Sequence, residues 1–535
     1  MTKQSRRIKN QYSRRSFLRT ASTASAVGAL GAGLTVPFRW AAAKPGTDEI
    51  VAALFAEPKT ITPLTRKGLH GAQIGRQLHD RPVNIGDTKK MNLVPAMCEK
   101  WTQEDPVTYA FKLREGMKWH KGYGEVTAED AVFGYQKFFD MWGHRGAMSY
   151  IAKTEVRDRY TFVVKLKMPY GGFLSTWGPA SSFSAIHCKK AIEEMGIKEF
   201  GRNPIGSGPY ELVEWKPGVH IKLKKFEGYW NPNFPKVDRL TFQFVSDSFV
   251  KVEKLRKGEL DWIDAPNFNE LPALQKDPNI TVLSPTTDEW DYIAFNGDLP
   301  DNHPLKHPKV REAIAYAIDR NSIVKNVYYG NATPTEHPFP PGLPGSDHPI
   351  KYPRNGNPKK ARQLLKEAGF GDGFEVSCFV SHKPELRDQL VVIAAQLGEV
   401  GIKVKIEQTD NAGWRARMKE GRDYEMAHED IGMLGPDSDP SVYNFLHNSF
   451  KGKYANFPRY GTQDMDQLLD KGRTSNDPKE RNRIYNKIVD VIHRDNPLVY
   501  TAFPKSIYCM NSKLKGFITN RTEWDISFEA CHWGA

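Results

Sequence analysis

Short runs of alternating apolar and polar residues dominate the first half of the chain. VTYAFKL (107–113) alternates with period two, as do EVRDRYTFVVKLK (155–167), YELVEW (210–215), HIKLKKF (220–226) and LTFQFV (240–245). Each predicts a strand or a pair of strands, and Pro217-Gly218 and the stretch from Tyr229 to Pro235 supply turns between the later ones. TAEDAVFGYQKFFD (127–140) changes period: Ala131, Val132, Tyr135, Phe138 and Phe139 fall on one side of a helix. Thr127 is its expected N-cap, with Asp130 as a weaker form of the capping-box acid. This helix and a second near 246–258 argue against a plain β-sandwich.

After residue 295 the pattern becomes helical. KVREAIAYAIDRNSIVKNVYYG (309–330) predicts a long amphipathic helical region, and the proline-rich PFPPGLPG (338–345) a loop. Helices are expected at 357–370, 386–400 and 478–493, strands at 374–380 and 402–410, and a short returning strand at 506–511. Strand, helix and strand over 374–410 form a crossover unit, for which parallel pairing and a right-handed connection are expected. A β-rich front, a βαβ region from about 300 to 500 and a tail that rejoins the front describe two lobes crossed more than once. Such a clamp encloses its ligand between the lobes.

The first 43 residues stand apart. They hold eight Lys/Arg and no acid, then an Ala/Gly/Leu/Val run from Ala21 to Val36, and close on Ala41-Ala42-Ala43. Charged head, short apolar body and small-residue exit predict an export signal rather than a spanning helix. Ser13-Arg14-Arg15-Ser16-Phe17-Leu18-Arg19 within it resembles a twin-arginine signal. The whole chain carries a formal charge of +13, and +5 without that leader, spread over 492 residues with acids interspersed. No nucleic-acid partner is indicated. Five cysteines (98, 188, 378, 509, 531) form no CxxC pair. Outside the cytoplasm they permit one or two disulfides of unreadable connectivity. The length after the leader asks for two or three domains.

Ordered blocks then point to a family. LVPAMCEKW (93–101), TYAFKLREGMKWHKG (108–122) followed by VTAEDAVFGYQKF, NPIGSGPYELVEWKPG (203–218), GYW (228–230), KVDRLTF (236–242), YIAFN (292–296) and VREAIAYAIDRNSIV (310–324) occur in sequence. In this order they resemble the large extracytoplasmic solute-binding proteins of ABC importers, family 5, which include dipeptide-, oligopeptide- and nickel-binding members. The resemblance implies an α/β two-lobed periplasmic-binding-protein fold of the cluster C type, with an additional small subdomain in the first lobe and a hinged cleft. It implies residues 44–298 as the first lobe (extra subdomain about 82–200), 299–500 as the second, and 501–535 as a return to the first. The implied protein is a periplasmic monomer, not an enzyme. It needs no cofactor or metal, binds a small solute or short peptide, and delivers it to a membrane permease whose ATPase is a separate chain. No GxxxxGK[ST] is present in the sequence. Trp119 and His120, in a glycine-flanked turn without a partner acid at catalytic spacing, read as framework.

The solute is sought in HEDIGMLGPDSDPSVYNFLHNSF (428–450). Aligned on Gly435 and Asp439-Pro440, Pro436 stands where the resemblance places the aspartate that pairs with a peptide's amino end, and Met433 where a tryptophan is usual. An ammonium left without its acid is costly. The candidate ligand residues are therefore Asp437, Asp439 and Asn444, with Tyr443, Trp414, Asn296 and Trp290 bordering the cleft. Acid and amide side chains on aromatic platforms suit sugar or opine-like hydroxylated solutes and cationic solutes as well as peptides. Asp439 also reads as a cap for a helix starting at Pro440. A glycan hydrolase would need two acids facing each other across a cleft, and Asp437 and Asp439 are too near in sequence for that. The histidines show no nickel-ligand spacing.

Overall fold

A computed structural model describes residues 48–534 apart from 66–67, 87–91, 143–149, 179–183, 382, 421–423, 433–436 and 453–455. The expected leader at 1–43, Met433, Gly435 and Pro436 lie outside the described residues.

The front of the chain builds two sheets. β1 (Glu49–Leu54) leads through α1 (Leu69–Leu78) to an antiparallel unit made of β2 (Cys98–Asp105), β3 (Thr108–Leu113), α2 (Ala128–Trp142), β4 (Ile151–Asp158) and β5 (Thr161–Leu166). β6 (Tyr210–Lys216), β7 (His220–Lys225), β8 (Arg239–Phe244), β9 (Trp262–Asp264) and β10 (Ile280–Leu283) follow. The antiparallel unit is a four-stranded sheet of order β2-β3-β5-β4, whose Phe111 and Phe162 make one core with Tyr135 of α2 and Trp177 beyond β5. Asp130 Oδ2 accepts the Thr127 N–H at 2.9 Å, the expected reach-back of a capping acid.

The back of the chain contains β11 (Glu289–Phe295), α3 (Pro308–Ala317), α4 (Arg320–Asn326), β12 (Phe374–Val380), α5 (Pro384–Gly398), β13 (Ile402–Gln408) and β14 (Met426–Gly432). Next come α6 (Asp439–Leu446), α7 (Gln463–Thr474), α8 (Pro478–Asp495), β15 (Leu498–Tyr500) and β16 (Tyr508–Asn511). The helical region expected over 309–330 is broken. Ile318 is extended, and the Asp319 carboxylate accepts the Ser322 N–H at 2.9 Å to start α4. β13-β12-β14-β11-β15 form a five-stranded sheet in which β12 pairs parallel with both β13 and β14. Its β11 strand is buried on both faces. Ile293 and Phe295 enter the core that holds Leu386, Leu390, Ile393 and Leu397 of α5, while Trp290, Tyr292 and Ala294 enter the core under α6–α8.

After β15 the chain crosses back. β16 enters a seven-stranded sheet of order β10-β16-β9-β1-β8-β7-β6, between strands laid down more than 200 residues earlier. All five cysteines are buried free thiols, and none is in a disulfide.

The sequence blocks at 119–120 and 206–209 meet in this front half. His120 Nε2–H donates to the Gly208 carbonyl at 3.0 Å, and Nδ1 accepts the Gly206 N–H at 3.2 Å. The glycine at 206 is required by close approach: a Cβ there would lie 1.8 Å from the Leu78 carbonyl oxygen. Burial pushes the His120 pKa down to about 4, so the ring stays neutral in the fold to far lower pH than in the unfolded chain. Its contribution is complete above pH 6.5 and is lost as pH falls toward 4, worth about 3 kcal/mol over that window. His120→Ala is expected to cost about 3 kcal/mol at pH 7. That penalty should shrink toward zero by pH 4, as read from urea unfolding at pH 7, 5.5 and 4.

Candidate functional site

Ligands of open α/β sheets bind outside the carboxyl ends of the parallel strands. In the five-stranded sheet those ends belong to β12, β13 and β14. Ser381 and Lys383 follow β12, and Asp430 lies near the end of β14. β11 runs antiparallel to β14, so its first residue, Glu289, reaches the same edge. The register sets Glu289 opposite Gly432 and Asp291 opposite Asp430, putting three acids on one face. Gly432 leaves room for the glutamate, since a Cβ there would sit 3.1 Å from Glu289 Oε1.

Two acids from outside that sheet come near: Glu523, whose charge acts on Glu289, and Asp264, whose charge acts on Glu523. Asp264 ends β9, bound by the Lys251 ammonium at 2.9 Å, with the His70 ring 3.8 Å away. Glu523 lies on the segment after β16, where its backbone carbonyl accepts from Gln73 of α1 at 3.0 Å and Ser506 Oγ lies 3.4 Å from its carboxylate. Glu523 also lines a neighbouring cavity of about 370 Å³, walled by Ala265, Asn267, Tyr329, Glu385 and Lys505 but not by Glu289, Lys383 or Asp430. That volume fits a small solute.

Carboxyl groups outnumber basic groups in this crevice. Lys383 is ion-paired with Asp430. Burial opposes the charge on Asp430, but the lysine outweighs it and keeps that carboxyl below its usual range. Burial, then the charges of Glu523 and Asp430, push Glu289 well up. Burial and Asp430 raise Glu429 to about 9, and burial raises Glu523 to about 7 although Lys383 opposes it. Behind them Asp291 is raised to about 7 by burial and Asp430, while Tyr328 (2.6 Å) and Gln389 (3.0 Å) donate to its Oδ2. These groups can hold a cation or protons; they have no arrangement for nucleophilic attack.

The residues singled out from sequence sit elsewhere. Trp290 is fully buried on the opposite face of β11, its ring 5.1–5.2 Å from those of Tyr292, Phe445 and Tyr500. Asn296 lies at the far end of the same strand, about 23 Å from Glu289 at strand rise. There it donates to the Tyr424 carbonyl at 2.8 Å. Trp414 packs on Phe457 and Phe379. Asp437 receives two bonds from Arg481, at 2.8 and 2.7 Å, and Asp439 is gripped by Arg473 at 3.0 and 2.9 Å. Asp439 thus spends its carboxylate on an arginine rather than on capping α6. Tyr443 donates to Asp470 at 2.8 Å and lies 3.0 Å beneath the Arg473 guanidinium, and Asn444 is half-buried beside it in the chain. The structure therefore gathers Asp437, Asp439 and Tyr443 around two arginines and separates them from Asn296. Glu289, Lys383, Asp430 and Glu523 carry no motif that marks them in the sequence. The one local signal was the pair of acids inside the otherwise apolar strand MAHEDIG.

Residues 92–453 match the family of bacterial extracellular solute-binding proteins, family 5. The chain belongs to that family. Over 444 residues it is 31% identical to the glutathione-binding protein GsiB of Escherichia coli, covering 81% of this chain and 85% of GsiB. The periplasmic binding protein DppA from Helicobacter pylori, in complex with the peptide STSA, superposes with a TM-score of 0.75 at 27% identity over 91% of this chain and 98% of DppA. The binding protein AgaA from A. tumefaciens, in complex with agropinic acid, gives 0.75 at 26% identity over 91% of this chain and 99% of AgaA. This family-5 protein therefore has the two-lobed cluster C fold and is the substrate-binding component of an ABC import system. It works outside the cytoplasmic membrane with a membrane permease and its ATPase, captures solute by lobe closure, and is not an enzyme. Among the described residues no helix is long and apolar enough to cross a membrane.

Proposed function

We propose that this binding protein captures a small solute bearing a cationic group, foremost the α-ammonium of a short peptide, in the crevice between Glu523 and the Glu289–Asp430 edge. The carrying observation is the excess of carboxylates over Lys383 where the two halves converge. A desolvated carboxylate gains from a cation and is costly without one. GsiB is named for glutathione and DppA is bound to a tetrapeptide; both ligands present an α-ammonium and a carboxylate. Lys505 and Arg387 border the neighbouring cavity that Glu523 also lines, and they suit the carboxylate end. We take the lobe boundary to lie between Leu283 and Glu289, because β11 already pairs with the second-lobe strands, with the return after Tyr500. Residues 1–43 remain our candidate twin-arginine leader.

The test is calorimetric titration with reduced glutathione and Ser-Thr-Ser-Ala, each as the free amine and N-acetylated. At least one free amine should bind, and acetylation should weaken it at least 30-fold, about 2 kcal/mol. Equal binding of the acetylated form would remove the cationic requirement. Binding of neither peptide, with a different molecule retained in native mass spectra, would remove the peptide.

A further inference from the structure

Asp437 and Asp439, although neutralised by their own arginines, lie against a part of the first half of the chain. The segment Tyr170-Gly171-Gly172 leaves the four-stranded sheet just after β5. The Gly171 N–H donates to the Arg473 carbonyl at 3.0 Å. A Cβ at Gly171 would lie 2.1 Å from the Ser475 carbonyl oxygen, and one at Gly172 would lie 2.7 Å from the Asp437 carboxyl carbon. Neither glycine has a positive φ, so close approach rather than backbone conformation excludes a side chain. The Arg473 guanidinium lies 3.0 Å from the Tyr443 ring centre on its own half and 4.8 Å from that of Tyr150 on the other, and Tyr150 packs on Tyr170 at 4.2 Å.

The seat for this segment is prefabricated. Arg481 bridges α8 to Asp437, and Arg473 bridges α7 to Asp439, entirely within the second half. Separating the lobes would break neither ion pair. At this segment it would release one backbone hydrogen bond, one cation–π contact and the glycine-to-carboxylate packing, a set small enough to form and release on each cycle.

We propose that Tyr170–Gly172 is a clasp that holds the lobes shut through the Asp437–Arg481 and Asp439–Arg473 seat, making the closed form substantially populated before solute arrives. Solute then needs to supply only part of the closure free energy, which raises its apparent affinity by the competent fraction.

Spin labels at Lys153→Cys and Lys487→Cys, both exposed lysines, report the distance across the clasp, and mild labelling spares the five buried native cysteines. In the solute-free protein a short-distance population should dominate. Gly171→Val should reduce it at least tenfold in favour of longer distances, and Gly172→Ala should act in the same direction, with far-UV circular dichroism unchanged. Hydrogen exchange over 168–174 in the unaltered protein should be slow and become fast in Gly172→Ala. Unchanged distance distributions in both variants, a solute-free protein already wholly open, or fast exchange at Gly171 without any substitution would each overturn the clasp. None of these readouts depends on the identity of the solute.

Discussion

Glu523→Gln should weaken binding of the free-amine ligand by about 2–4 kcal/mol at neutral pH, a loss of roughly 30- to 1,000-fold. That is the range for removing one partner of a buried charge pair. The substitution keeps the shape and the Ser506 contact but removes a charge that in the closed, solute-free crevice is held only in part. Its pKa is raised to about 7, and that of Glu429 to about 9, so at pH 7 the empty site retains protons that a cationic solute must displace. Affinity should therefore rise with pH between 6 and 8, with a slope approaching one tenfold change per unit for each proton released. In Glu523→Gln the slope should be smaller by the share that Glu523 supplied.

Stability moves the other way. A carboxyl whose pKa is higher in the fold than in the unfolded chain destabilises the fold above its unfolded pKa and less so as pH falls. Glu289→Gln and Glu523→Gln should both melt higher than the parent at pH 8, with the difference vanishing near pH 4. Tighter folding with weaker binding distinguishes an acid kept for its ligand from one kept for the fold. A flat pH profile for binding, or a lower melting temperature in both variants, would contradict this assignment of the crevice.

Local patterning located most of the framework and little of the site, and particular residues show why. The strand at 374–380 was readable end to end because its apolar run starts after Gly373, whose φ of +83° suits few other residues. The break at Ile318–Asp319 was not, because the periodicity of 309–330 continues through it. A single capping carboxylate at Asp319 redirects the backbone there. The acid edge depends on the β11–β14 register, which brings Asp291 beside Asp430 across 139 residues of chain, and no local window contains that pairing. The reading of Asp437 and Asp439 as ligand donors has the same origin. Both look uncommitted within their own loop, and the arginines that engage them stand 44 and 34 residues further on, in helices whose buried faces otherwise carry Met465, Leu469, Ile488 and Ile492. The family resemblance reached further than patterning because it rests on blocks that meet in space, as His120 does with Gly206 and Gly208.

The arginine seat yields the second large effect. Asp439 is fully buried and Arg473 nearly so, with burial pushing the carboxyl up and the guanidinium opposing it. Arg473→Leu strands that carboxylate, and losing one member of a buried pair costs about 3–5 kcal/mol. The loss should appear in urea as an earlier unfolding transition. Asp439→Leu with Arg473→Leu removes both charges from the same site, and its cost should be smaller than that of Arg473→Leu alone, a coupling of at least about 1 kcal/mol in a double-mutant cycle. The cycle separates two roles for Asp439. If it served mainly as a solute donor, Asp439→Asn would abolish binding in a protein of unchanged stability, and the two substitutions would simply add. As half of a buried pair beneath the Tyr170–Gly172 segment it should do the opposite, altering stability first and binding through closure. The Glu289–Glu523 crevice would then be where the solute's charge is met.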